Sequence, residues 1–133
     1  MKEFNLKPGM SGQARTRVTD ENTALKFGSG TVRVYATPAM IGLMEAAAID
    51  CVERNLPQGY STVGTKVEIR HLSATPVGME VVATAKLLEA DGARLKFQVE
   101  ANDSKGKIGE GTHNRYIVKL DEFIKKAEEK LTI

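Results

Sequence analysis

Glu45 is a carboxylate among apolar neighbours. On a helical wheel at about 100° per residue it falls between Val52 and Ile49, inside a wide apolar arc of the run that follows Thr37. Buried there without a cation, it would be costly and its pKa would rise, the condition a general acid or base exploits. At the edge of the arc it would instead reach water along its own methylenes. His71 is the second residue out of pattern, closing an alternating run in which Val63, Thr65, Val67, Ile69 and His71 share one face and Lys66, Glu68 and Arg70 the other. A lone strand histidine is more often a hydrogen-bonded core residue than a catalyst. Two ionisable groups directed into one apolar layer nevertheless make a physical signal of acid–base chemistry. Thr37 offers a hydroxyl that can attack or orient water, and equally a helix N-cap, with Pro38 following it. On a regular helix Thr37 and Glu45 lie ~12 Å apart along the axis. Cys51, deep in the arc, reads as a small buried hydrophobe rather than a nucleophile.

Three further positions are chemically suggestive. Gly109 and Gly111 place two glycines in one strand, which predicts a bulge or a close backbone approach by a ligand. Neither they nor Gly28-Ser29-Gly30 have the context of a phosphate-binding loop. Arg115 is either a surface ion-pair partner or an anchor for a ligand oxygen, whereas His113, two residues away, reads as structural.

The elements that must position these residues follow from periodicity. Ser11–Val18 and Thr31–Ala36 alternate weakly around Gly28-Ser29-Gly30, predicting a short first strand and then a glycine-bearing loop placed to act as a lid. A helix begins at Thr37-Pro38, capped by Thr37, in which Met40, Ile41, Leu43, Met44, Ala47, Ala48, Cys51 and Val52 recur at helical spacing before Asn55, Pro57 and Gly59 stop it. Strands follow over Ser61–His71, Met79–Leu88, Ala93–Ala101 and Lys107–Val118, with turn signals at Pro76-Val77-Gly78, Asp91-Gly92 and Ser104-Lys105-Gly106. A charged helix over Asp121–Lys130, capped by Asp121, closes the chain. One long apolar helix followed by an antiparallel meander predicts an α+β fold with the sheet curled around the helix. The open sheet edges predict a homodimer.

Composition narrows the function classes. The 133 residues fit a single domain over 1–133, and 19 basic against 17 acidic residues give no case for a dedicated nucleic-acid binder. No apolar run suggests a membrane partner. One cysteine and two histidines exclude an internal disulfide and a multi-cysteine or three-imidazole metal site, so no metal is expected. The stretch Met1–Met10 lacks the apolar segment of a secretory leader, which predicts a cytoplasmic location.

Four ordered blocks from about Val34 onward carry a family likeness: Tyr35-Ala36-Thr37 leading into Gly42-Leu43-Met44-Glu45, then Gly64-Thr65, then His71-x-x-Ala74-Thr75-Pro76-x-Gly78, then Gly111-Thr112-His113-x-Arg115. The chain resembles the hot-dog-fold acyl-CoA thioesterases, and among them the fluoroacetyl-CoA thioesterase family. The resemblance implies a hot-dog fold and hydrolysis of a short-chain acyl-CoA thioester to free acid and CoA. It implies catalytic roles for Thr37, Glu45 and His71, and substrate contacts at Gly64 and Arg115. No cofactor is implied, since CoA is part of the substrate. Lys66, Arg70, Lys105 and Lys107 are the local cations that could meet CoA phosphates. The family's founding enzyme carries phenylalanines in the lid, where this chain has Gly28-Ser29-Gly30-Thr31-Val32-Arg33, so strong selection for the fluoroacyl group is not expected. A hot-dog enoyl-CoA hydratase and a non-catalytic acyl-CoA or small-ligand binding module are the alternatives.

Overall fold

A computed structural model describes residues 4–132. Of the 1–133 domain span, residues 1–3 and 133 lie outside the described residues. Five strands, β1 (Ser11–Arg17), β2 (Tyr60–His71), β3 (Glu80–Asp91), β4 (Arg94–Asp103) and β5 (Gly106–Lys119), form one antiparallel sheet in the order β1-β3-β4-β5-β2. The short helix α1 (Ala24–Phe27) and the long helix α2 (Thr37–Val52) lie between β1 and β2, and α3 (Leu120–Glu128) ends the chain. Since β1 and β2 occupy opposite edges, α2 must cross the sheet between them, and the sheet curls around it. This is the expected α+β architecture, with β1 joined to β3 rather than to its sequence neighbour. No helix among the described residues is long and apolar enough to cross a membrane.

The core follows the two periods. Along α2, Met40, Met44, Ala47, Ala48, Cys51 and Val52 are buried against alternating side chains of β3 (Val81, Ala83, Ala85, Leu87) and β4 (Leu95, Phe97, Val99, Ala101). Each large apolar side chain removed from water contributes about 1.5–3 kcal/mol. Small residues set the approach distance. A Cβ on Gly12 would fall on the α2 backbone at Ala47 and Cys51, so β1 and the helix touch main chain to main chain. The apolar arc of α2 is wider than its buried face, for Gly42, Ala46 and Ile49 are exposed.

Several local expectations change. The N-cap of α2 is Ala36, with no side-chain cap bond, and Thr37 is the first helical residue, because its hydroxyl is engaged elsewhere. The cap of α3 is Lys119 and not Asp121, which sits in the first turn, where the helix dipole still favours a carboxylate. Residues 31–36 form no strand, only the isolated bridges Thr23↔Tyr35 and Val34↔Pro76. Gly109 and Gly111 keep regular pairing with β2. A Cβ on Gly109 would strike the Met40 thioether, and one on Gly111 the Glu68 backbone, so protein fills the space read as room for a ligand.

The face shared by Val63, Thr65 and His71 is also corrected. The pairing of β2 with β5 shifts between Gly64 and Lys66, leaving Thr65 as an extra residue. A bulge reverses the alternation. Thr62 and Gly64 therefore point toward α2 on one side of it, Val67, Ile69 and His71 on the other, while Val63 and Thr65 line a groove beneath α3 on the outer face.

Candidate active site

Two constellations assemble the residues singled out above. The first lies at the head of α2. The turn after β2 folds back over the sheet, with Leu72 and Ser73 N–H both donating to the Ile108 carbonyl (2.7 and 3.3 Å). The segment entering α2 is pinned by Tyr35 N–H to Thr75 O (2.9 Å) and Ala36 N–H to Asn22 O (2.9 Å). The exposed Thr37 Oγ1 thereby comes within 2.7 Å of His71 Nδ1. Burial holds the His71 imidazole below its ordinary pKa, with a Ser73 backbone interaction opposing part of the shift. Its Nε2 is buried and has no hydrogen-bond partner among the described residues. A neutral imidazole can accept the Thr37 hydroxyl proton at Nδ1.

The second constellation surrounds Arg115, which is 6% exposed. Its Nε donates to Thr62 Oγ1 (2.8 Å), its Nη2 to Thr62 O (2.9 Å) and its Nη1 to His113 Nε2 (3.1 Å). A guanidinium only donates, so His113 Nε2 is the acceptor and the ring proton sits on Nδ1, which donates to Lys66 O (2.8 Å). Burial lowers the His113 pKa, and the neighbouring Arg115 charge lowers it further against the Lys66 carbonyl and Glu45. Glu45 Oε2 faces Arg115 Nη1 at 4.0 Å, a charge contact too long for a hydrogen bond. The Glu45 side chain is 39% exposed, so it sits at the edge of the apolar arc, with a cation opposite it. Arg115 is thus not a surface ion-pair partner, and Gly64 leaves the space in which Glu45, His113 and Arg115 meet.

The two groups stay apart within the chain. His71 pairs with Gly109 of β5 and Gly64 with Arg115, six residues along the strand, or roughly 20 Å at about 3.3 Å per residue. The structure joins Thr37 to His71 and Glu45 to Gly64 and Arg115, but does not join the two sets. Thr62 went unnoticed in the sequence because the alternation of β2 looks uninterrupted across Thr65.

A cavity of about 360 Å³ opens beside the first pair, lined by the lid residues Ser29, Gly30 and Val32, by Val34, and by the turn residues Leu72 and Ala74 as well as Thr37 and His71. No charged side chain lines it. Phe27, the one aromatic residue of the lid segment, is 52% exposed and not in the lining. A larger groove of about 680 Å³ on the outer sheet face holds none of the candidate catalytic residues. Its Arg70 and Glu110 pair with each other, and Lys107 with Glu100 and Glu110. Lys66 is likewise paired, to Glu68 at 2.8 Å, so three of the four cations considered for CoA phosphates already hold carboxylates. No group of three His, Cys, Asp or Glu side chains that could hold a metal occurs among the described residues. Cys51 is buried, and burial pushes its thiol pKa up.

Comparison with known proteins places this geometry. The family model described as fluoroacetyl-CoA-specific thioesterase matches residues 18–121. The fluoroacetyl-CoA thioesterase of Streptantibioticus cattleyicolor is 39% identical over 97 residues, 73% of this chain and 70% of that protein. A solved structure of a fluoroacetyl-CoA thioesterase variant in complex with acetyl-CoA superposes with a TM-score of 0.89 at 30% identity, covering 94% of this chain and 98% of that one. A Thermus thermophilus hypothetical protein of the thioesterase superfamily gives a TM-score of 0.85 at 30% identity, covering 98% of each chain.

Proposed function

The chain belongs to the fluoroacetyl-CoA-specific thioesterase family, is by that membership an acyl-CoA thioester hydrolase, and we propose that it splits short-chain acyl-CoA into free acid and CoA with Thr37, His71 and Glu45 as its working residues. The observation that carries this assignment is the 2.7 Å contact between the exposed Thr37 hydroxyl and the pKa-depressed His71. As Thr37 Oγ1, or a water held by it, attacks the thioester carbonyl, its proton passes to His71 Nδ1. Collapse of the tetrahedral intermediate breaks the carbon–sulfur bond, and the imidazolium returns the proton to the departing thiolate. Attack by water gives the free acid directly, whereas attack by Thr37 leaves an acyl ester on its Oγ1 that a water, giving its proton to His71, then hydrolyses to the free acid. The developing oxyanion would meet the positive end of α2, whose first turn begins at Thr37. No cofactor is required beyond the CoA of the substrate itself.

The lining of the cavity supports a short, uncharged acyl group and weak selection for fluorine, since no charge reaches it and its one aromatic side chain, Tyr35, comes from outside the lid segment. Apolar contacts alone supply discrimination within ~100-fold. The substrate contacts carried over to Gly64 and Arg115, and the role of Glu45, call for a second copy of the chain. Among the described residues the outer edge of β2 has no partner strand, and exposed Val67 sits near its middle. An antiparallel copy paired about Val67, with the extra Thr65 passed over, would set His71 opposite Thr62 of the partner subunit, the residue that holds Arg115 there. The same pairing satisfies an edge otherwise left open. A cytoplasmic location accords with a single, buried, unbridged cysteine.

An acyl-CoA panel read by free-thiol release tests the assignment. Thiol release from acetyl-CoA is expected, with His71→Ala and Glu45→Gln each lowering kcat at least ~100-fold in folded protein. Near-wild-type rates in either variant overturn the roles. Hydration of an enoyl-CoA without thiol release would identify a hydratase, and binding without turnover a binding module. A fluoroacetyl-CoA preference of ~10,000-fold or more contradicts the weak selectivity. Light scattering showing a monomer at micromolar concentration contradicts the homodimer.

A further inference from the structure

We propose that Thr75 and Asp103 form a positioning tie that holds the turn after His71 against the segment leading into Thr37, and so sets the contact between the two; this rests on the reading of Thr37 and His71 as the reacting pair. Thr75 is fully buried, and its hydroxyl donates to Asp103 Oδ2 at 2.8 Å. The other carboxylate oxygen, Oδ1, accepts from Lys105 N–H at 2.8 Å, which anchors Asp103 in the tight turn between β4 and β5. The carbonyl of the same Thr75 accepts from Tyr35 N–H. Tyr35 lies two residues before Thr37, and Thr75 four residues after His71. One buried residue thus faces both halves of the pair, through its main chain toward Thr37 and along the turn toward His71, while its side chain fixes it to the sheet.

Near the start of the turn, the Ile108 carbonyl holds Leu72 and Ser73. Without the Thr75 tie, the turn would be restrained by β5 at that end and by Tyr35 and the Val34↔Pro76 bridge at the other, with no side chain linking it to the β4–β5 turn. A threonine that merely filled space would be replaceable by valine. Here the substitution leaves a carboxylate facing a methyl group, and the cheapest relief is for the turn to move outward. A displacement on the order of 1 Å at a reacting pair costs up to ~100-fold in rate.

Thr75→Val is therefore expected to lower kcat on acetyl-CoA at least about tenfold with KM within about threefold, and Thr75→Ser to stay within about threefold of the parent. A second readout needs no turnover. The chain has two imidazoles, His71 and His113, whose titration is followed by proton NMR. No charged group lines the cavity beside His71, so burial is the cause of its depressed pKa. Loosening the turn in Thr75→Val is expected to move His71 up toward about 6.5 and leave His113 in place. Thr75→Ser should keep both at their parent values. Asp103→Ala breaks the tie from the half-exposed turn and is expected to behave like Thr75→Val, which covers the case of a misfolded core variant. Unchanged His71 titration in these variants, or a loss expressed in KM rather than kcat, overturns the tie. A shifted His71 titration together with normal turnover in His71→Ala upholds the tie and overturns the assignment of the pair as catalytic.

Discussion

At Gly64 a hydrogen atom does what no side chain can. A Cβ there would stand 3.1 Å from Glu45 Oε2, 3.2 Å from His113 Cε1 and 3.4 Å from Arg115 Nη1. His113 and Arg115 are locked by their hydrogen bonds, whereas Glu45 is partly exposed and, among the described residues, is held by the 4.0 Å charge contact alone, so Glu45 is the group that yields. Gly64→Ala should fold with a stability loss of about 1 kcal/mol or less, yet lose about tenfold in kcat as Glu45 swings away. Thermal melts alongside thiol-release kinetics check both halves, and an unaltered kcat would mean that the placement of Glu45 is irrelevant to turnover. Glu45 and His71 were conspicuous in the sequence because each breaks an apolar pattern. That Thr37 belongs with His71 was not, since a threonine before a proline is already explained as a cap, and only the long-range turn from 72 to 76 brings the hydroxyl to the imidazole.

At the scale of elements, periodicity made the long helix, its buried face and the strands from residue 60 onward legible, with strand ends misplaced by no more than three residues. What it could not reveal are contacts that depend on main-chain proximity. Gly12 shows this best, lying in a weakly alternating segment with no sign that it meets α2. Gly12→Ala drives a methyl group into the helix backbone at Ala47 and Cys51, where no side chain can turn aside. The expected cost is about 3 kcal/mol or more. Denaturant unfolding measures it, and a variant within 1 kcal/mol of the parent, the size of an ordinary substitution, would show that β1 and α2 are less tightly apposed. The bulge at Thr65 was hidden for a different reason, since the side-chain types on both sides of it continue the same alternation although the backbone does not.

For the whole molecule, acid is the vulnerable side. Burial depresses the pKa of both His71 and His113, so the folded chain keeps them neutral while the unfolded chain protonates them near about 6.5. Between those values the unfolded state binds more protons, and stability rises with pH. The contribution is fully present above about pH 6.5 and is lost as pH falls toward the folded values, with a slope of at most ~1.4 kcal/mol per pH unit for each imidazole. Exposed Asp20 and Glu68 and half-exposed Glu110, held below their usual range by hydrogen-bonded Arg33, Lys66 and Lys107, begin to titrate only at lower pH. Melting temperatures taken between about pH 8 and 5 should be level at first and fall from about 6.5 downward, and a flat profile would mean that neither imidazole is neutral by virtue of the fold. The extra residue at Thr65 also governs how this chain can be aligned with its relatives. Its strand is written in two frames, one ending at Gly64 and one beginning at Lys66, and Thr65 is the single letter between them. Deleting it would leave each side chain on its present face. A one-letter gap elsewhere in the strand would put every residue between it and Thr65 on the wrong face, so a relative lacking the bulge is to be aligned with its gap at Thr65.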